Sequence, residues 1–250
     1  MLKNVAILIP AYEPDEKLVE LIARLRGDFV HLVIVDDGSV EEGARKVFAR
    51  LRDDVDVLLV HEVNRGKGAA LRTGIAWVRD HLPDVCAVVT ADSDGQHTSK
   101  DIIRVAEAAV DHPDGLVLGV REFTGTVPLR SRFGNTWTRV LFWLITGLPV
   151  RDTQTGLRAI PRGLFDRMLA IGGDRYEYEI RMLVDARRHA VKPLQLPIET
   201  IYIEDNRASH FRPFHDTVIT QWALFSARFL GLGLPKNMGI GRSVTDQKGH

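Results

Sequence analysis

Short apolar runs rich in β-branched residues alternate with amphipathic stretches through the first half of the chain. Residues 5–9, 32–35, 57–61, 85–90 and 116–118 are brief, apolar and bounded by turn or helix signals, which predicts strands buried on both faces. Between them, residues 16–26, 41–52, 68–78 and 100–112 carry apolar positions at helical spacing, with Leu18, Leu21, Ile22 and Leu25 on one face of the first. Strands alternating with helices predict an α/β fold: a Rossmann-like, doubly wound and mostly parallel sheet flanked by helices. Beyond Arg121 the alternation weakens. Residues 130–146, 164–169 and 177–190 read as helical and 194–203 as a strand, so the second half is built differently. The last fifteen or so residues lack any periodic pattern, which predicts a loose tail.

The 250 residues suffice for one large domain with a substantial core. Thirty-three basic side chains balance thirty-three acidic ones, so no global positive field points to nucleic acid as a partner. Anion binding must therefore rest on local clusters. The single cysteine, Cys86, excludes an intramolecular disulfide framework and a cysteine-rich zinc site. No run reaches the roughly eighteen apolar residues of a spanning helix. The nearest approaches are residues 140–150 and 222–234. The first ten residues read as a strand rather than a signal peptide, so the expected compartment is the cytoplasm.

In an open parallel sheet, ligands bind beyond the carboxyl ends of the strands, and four polar clusters fall at such ends. Pro10-Ala11-Tyr12-Glu13 follows the first strand, where Pro10 is expected to stop pairing and turn the chain. Asp36-Asp37-Gly38-Ser39 follows the second; a carboxylate there can accept hydrogen bonds from a nucleobase or ribose. Asn64-Arg65-Gly66-Lys67-Gly68 leads into a helix, and two glycines and two cations at a helix start suit a diphosphate. Ala91-Asp92-Ser93-Asp94-Gly95-Gln96-His97 follows the fourth strand; two carboxylates one residue apart suit Mg²⁺ or Mn²⁺ held jointly with substrate phosphates. Taken alone, each cluster has a plainer reading: a strand-ending turn, a helix cap, a flexible basic loop and a solvated acidic turn, respectively.

In order and spacing, these four motifs together resemble family 2 glycosyltransferases of the GT-A fold, over residues 5–97. The resemblance implies a UDP- or GDP-sugar donor and a divalent metal, Mg²⁺ or Mn²⁺. It places Pro10, Tyr12, Glu13, Asp36 and Asp37 around the nucleotide, with Lys67 and Ser93 also on the donor side. Asp92 and Asp94 become the metal-binding pair, completed by Gln96. The second half resembles the polyprenyl-phosphate branch, the dolichyl-phosphate mannose and glucose synthase group, to about residue 216. Gly119-Val120-Arg121, Arg130-Ser131-Arg132-Phe133-Gly134-Asn135, Asp152-Thr153-Gln154-Thr155-Gly156-Leu157-Arg158, Tyr176-Glu177-Tyr178-Glu179 and Ser209-His210-Phe211-Arg212-Pro213 carry that likeness. By it, Arg121, Arg130 and Arg132 hold the acceptor phosphate.

The implied domain runs over 1–235, with a nucleotide-sugar and metal half (1–121), an acceptor half (122–235) and a flexible tail (236–250). Inverting displacement at the anomeric carbon follows, with Asp94 on the leaving-group side. A phosphate acceptor is anionic at neutral pH and needs no strong base; a glycan hydroxyl needs one, and Asp152 is the first suspect. A soluble transferase acting on a glycan and a non-catalytic sugar-nucleotide binder are the alternatives. Peripheral contact with the inner face of the membrane is expected through Trp137, Phe142, Trp143 and Leu144, or through 214–232, where Val218, Trp222, Phe225 and Phe229 recur at helical spacing, unless these simply pack on the domain. His97 and His210 read as solvated or capping, Tyr176 and Tyr178 as packing, while Glu177 and Glu179 are equally at home in a helix first turn.

Overall fold

The computed structural model describes residues 2–121, 142–144 and 146–199. In chain order its elements are β1 (Leu2–Ala11), α1 (Glu16–Leu25), β2 (Phe29–Asp36), α2 (Glu42–Leu51), β3 (Val57–Val60), α3 (Lys67–His81), β4 (Ala87–Thr90), α4 (Ser99–Asp111) and β5 (Val117–Arg121). Helical residues 142–144 and 146 precede β6 (Arg158–Pro161), α5 (Phe165–Ala170), α6 (Glu177–Arg188) and β7 (Leu194–Ile198). Seven strands form one sheet in the order β3-β2-β1-β4-β6-β5-β7. The β1–β2, β1–β4, β2–β3 and β5–β7 pairs are parallel, as the alternation predicts. Strand β6 runs antiparallel to both of its neighbours, β4 and β5.

The parity of β1 shows how the sheet is covered. Val5, Ile7, Ile9 and Ala11 face the layer of α1, α2 and α4, packing with Leu18, Phe48 and Val105. Ala6 and Leu8 face the opposite layer, with Leu71 and Ile75 of α3, Phe165 of α5 and Tyr178 of α6. With both faces buried, the inner stretches of β1, β2 and β4 read as continuous apolar runs. A smaller cluster joins Leu118 and Val120 of β5 to Phe142, Ile180 and Leu183. Phe142 and Tyr178 are therefore core, whereas Trp143 and Leu144 are exposed.

Two expectations change. Pro10 does not end its strand: β1 continues through Pro10 and Ala11, in register with Val35 and Asp36. The β4 ladder stops at Leu8–Thr90, where the Leu8 carbonyl accepts from Ala91 N–H. Two residues on, Pro10 faces the same side, where no partner strand remains to need its missing donor. Strand β6 was not anticipated, because Arg-Ala-Ile-Pro has neither an apolar run nor alternation.

Residues 130 and 132, most of the predicted 130–146 helix, positions 200–203 of the predicted 194–203 strand, the 214–232 stripe, His210 and the predicted tail lie outside the described residues. Among the described residues, no helix is long and apolar enough to cross a membrane.

Candidate active site

The ends of β1, β2, β4 and β5 share one rim, and the predicted donor residues gather there. After β4, Asp92 meets Lys67 from the start of α3 at 2.7 Å, and the same ammonium meets Glu179 of α6 at 3.0 Å. His97 Nε2 lies 3.4 Å from the other Asp92 oxygen. Burial opposes the Lys67 charge, but Asp92 and Glu179 outweigh it and hold the ammonium well above its usual range. Asp92 is likewise resisted by burial yet held far below the ordinary carboxylate range by Lys67 and His97. Asp94 moves the other way: burial, then the neighbouring Asp92 charge, push its carboxyl up. Its Oδ1 accepts the Gln96 N–H at 3.0 Å across a turn in which Gly95 has φ +77°. Ser93 stands between the two carboxylates, partly exposed.

Behind Asp92 lies the 152–158 segment. Thr90 Oγ donates to the Gly156 carbonyl at 2.7 Å, and a Cβ on Gly156 would fall on the Asp92 carboxylate. Arg158 is 1% exposed, and its guanidinium donates to the carbonyls of Thr155, Glu179 and Thr153 at 2.8, 2.5 and 3.1 Å. One buried side chain thus ties this segment to α6. Arg121, at the end of β5, forms a two-point pair with Asp152, Nε to Oδ2 at 2.6 Å and Nη2 to Oδ1 at 3.2 Å. Asp152 is fully buried and also accepts the Gln154 N–H.

On the nucleotide side, several predicted ligands have local partners. Glu13 accepts the N–H groups of Val40 at 2.7 Å and Glu41 at 3.2 Å, at the start of α2, and its own N–H donates to Ser39 Oγ. Asp36 accepts the Ser39 N–H at 2.8 Å. Asp37 spends both oxygens on Arg65 N–H, Gly66 N–H and His61. Tyr12 is partly buried beside them. The α3 start is not an open anion cradle. Ala69 N–H donates to the Asp174 carbonyl, and Gly66 and Gly68 are needed because the 173–178 chain crosses where their Cβ atoms would stand. Lys67 contributes its side chain instead.

Sequence reasoning left Glu179 open and treated His97 as solvated or capping; both are buried against the Lys67–Asp92 pair. Their proximity to acidic or glycine-rich motifs is the available signal. Arg158 and His61 carry none in the linear pattern. Among the described residues, no three His, Cys, Asp or Glu side chains converge as a metal cage. A cation here would need oxygens beyond those that the described residues bring together.

The helix-flanked mixed sheet with acidic residues at its rim is that of GT-A glycosyltransferases. The glucosyl-3-phosphoglycerate synthase of Mycobacterium tuberculosis, crystallised with Mn²⁺, UDP and phosphoglyceric acid, superposes with a TM-score of 0.65 at 18% identity, covering 90% of this chain and 78% of that one. Residues 6–170 match the model of glycosyl transferase family 2, and the chain belongs to that family. It is 28% identical over 227 residues to the UDP-N-acetylglucosamine–dolichyl-phosphate N-acetylglucosaminyltransferase of Methanococcus voltae, covering 82% of this chain and 89% of the relative. It is also 28% identical over 207 residues to the undecaprenyl-phosphate 4-deoxy-4-formamido-L-arabinose transferase of Pseudomonas aeruginosa, covering 74% of this chain and 58% of that one.

Proposed function

We propose that this glycosyltransferase moves a sugar, with inversion, from a UDP- or GDP-sugar to a polyprenyl phosphate at the inner membrane surface, working peripherally. The observation that carries the phosphate acceptor is the Arg121–Asp152 pair. Asp152, the first suspect for a base, has both oxygens engaged by Arg121 and is fully buried. It is placed to orient a guanidinium rather than to collect a proton, and a phosphate acceptor requires no proton removal. The pair fixes the plane of the Arg121 fork at the end of β5, as two-point phosphate recognition demands. The named activities of the dolichyl- and undecaprenyl-phosphate relatives support the same acceptor.

On the donor side, Mg²⁺ or Mn²⁺ fits. Asp92 and Asp94 stand two residues apart with one ammonium shared between Asp92 and Glu179, and the Asp94 carboxyl is pushed up by burial first and then by the Asp92 charge beside it. When bound, the metal neutralises charge on the departing nucleoside diphosphate. Asp94 would hold it, with Asp92 and Gln96 beside it. Lys67 fixes Asp92 and adds positive charge near the leaving group. Pro10, Tyr12, Glu13 and Asp36 shape the nucleotide end. The donor half is 1–121 and the acceptor half 122–235, with Arg130 and Arg132 joining Arg121 on the acceptor phosphate.

The test is release of nucleoside diphosphate from a panel of UDP- and GDP-sugars with Mn²⁺ or Mg²⁺, with and without undecaprenyl phosphate. Release stimulated by the lipid and lost in Asp94→Ala is expected. Metal-dependent release indifferent to the lipid but stimulated by a soluble glycan would overturn the acceptor assignment.

A further inference from the structure

We infer that His61 is a positioning residue for the donor site, acting through Asp37 on the turn that delivers Lys67. This inference rests on the reading of the Lys67–Asp92 rim as the donor site. His61 follows β3 and is buried, and its two nitrogens face different elements. Nδ1 lies 2.7 Å from Asp37 Oδ1, and Nε2 lies 2.9 Å from Thr73 Oγ on α3. A carboxylate oxygen accepts, so Nδ1 is the donor to Asp37.

Asp37 in turn accepts Arg65 N–H at 3.0 Å and Gly66 N–H at 2.7 Å. Those amides belong to the turn immediately before Lys67, the first residue of α3. The turn is confined on its other sides as well. Gly38, at φ +78°, presses against the backbone of Val63 and Asn64, and Gly66, at φ +99°, lies against the Asp174 carbonyl. With the backbone fixed there, Lys67 Nζ reaches both Asp92 and Glu179. Only the Nδ1 bond of His61 leads toward this turn; the Nε2 bond anchors the ring to α3. Asp37 is therefore a latch rather than a base reader, and His61 sets its rotamer.

The two bonds can be removed separately. An Asn side-chain amide at position 61 takes the place of Nδ1, and a Gln amide takes the place of Nε2. His61→Asn keeps the Asp37 contact, and His61→Gln keeps the Thr73 contact. Each loses one buried hydrogen bond, so their melting temperatures should fall by similar amounts. In His61→Gln, the donor KM should rise about tenfold with kcat within about threefold, while His61→Asn stays within about twofold of wild type on both. In the unliganded full chain, hydrogen exchange at the Arg65 and Gly66 amides should quicken about tenfold in His61→Gln and little in His61→Asn. Equal effects of the two variants, or the reverse order, would overturn the inference. Should the His61 variants fail to fold, Asp37→Asn is expected to reproduce the KM rise and the fast exchange, and unchanged values there overturn it equally. If wild type transfers no sugar from any UDP- or GDP-sugar, the proposed function fails, while the exchange comparison still decides the latch.

Discussion

Asp92 and Asp152 both close the rim of the sheet, and they are neutralised in opposite ways. Asp152 is fully buried and has a guanidinium of its own, Arg121, in a two-point pair, with the Gln154 N–H as a further donor. Asp92 shares the single ammonium of Lys67 with Glu179, and Asp94 stands two residues away with its carboxyl pushed up by burial and by Asp92. The Asp152 side is electrostatically closed, and its pairing holds the Arg121 guanidinium in a fixed orientation. The Asp92–Asp94 side is open: among the described residues it carries more carboxylate than cation, which suits the metal of the proposed function.

Removing charge from the open side should have the largest effect. Asp94→Asn is expected to lower turnover by about a thousandfold, because the metal-held leaving group loses its anchor. The fold should not suffer. The Asp94 carboxyl is raised, so the folded chain resists its ionised form, and a neutral amide removes that resistance. Nucleoside diphosphate release and a thermal melt on the same preparation check both halves. Activity within a few-fold of wild type would take Asp94 out of the donor site.

Gly156→Ala comes next, because it disturbs the wall behind Asp92 without adding or removing a charge. The added Cβ would fall on the Asp92 carboxylate, with the β4 end pinned from behind by Thr90. A loss of about 2–3 kcal/mol in stability is expected from the forced shift, read by urea unfolding. Turnover should drop about a hundredfold as Asp92 is displaced from Lys67. If stability falls and turnover does not, the position of Asp92 matters less than its charge.

The Asp92 side, the donor side of the proposed function, was the more legible one. A parallel sheet brings every strand's carboxyl end to one rim, so motifs that are scattered in sequence, such as Asp36-Asp37 and Asp92-Ser93-Asp94, announce a common site by following apolar runs. On the Asp152 side Arg121 likewise follows an apolar run, but the residues packed behind it gave no such signal. Strand β6 depends on Arg158, a residue that in sequence looks like a surface charge and in the fold is buried by the carbonyls of Thr153, Thr155 and Glu179. Those acceptors are spread over more than two dozen residues, and periodicity has no means of collecting them. Glu179 was hidden for a related reason: an acid in a helix first turn has an ordinary local explanation, and only the packing of α6 against α3 brings it to Lys67. Gly66 and Gly68 were legible as glycines but not as a chain crossing, since the crossing segment lies about a hundred residues away.

On the closed side, Asp152→Asn should have a moderate effect. An amide cannot repeat the two-acceptor pairing with Arg121, so the guanidinium loses its fixed plane but keeps its charge. A loss of about tenfold in lipid-stimulated turnover is expected, mostly in the acceptor KM. Near-complete loss with the acceptor KM unchanged would instead make Asp152 a proton acceptor and return the glycan-hydroxyl reading.

Thr90→Val should have the smallest effect, and it separates space from hydrogen bonding at the wall behind Asp92. Thr90 is buried, and its hydroxyl donates to the Gly156 carbonyl. Valine keeps the β-branched shape that suits β4 and removes only the donor, leaving a buried carbonyl one partner short, at about 1–2 kcal/mol. Gly156 still has no side chain, so Asp92 keeps its room, and turnover should stay within about threefold of wild type. Thr90→Ser, which restores the hydroxyl and loses a methyl, should recover most of the stability in urea. If Thr90→Val lowers turnover as far as Gly156→Ala does, then Asp92 is placed by the strand-to-loop hydrogen bond rather than by the missing Cβ, and the open side is as tightly tied as the closed one.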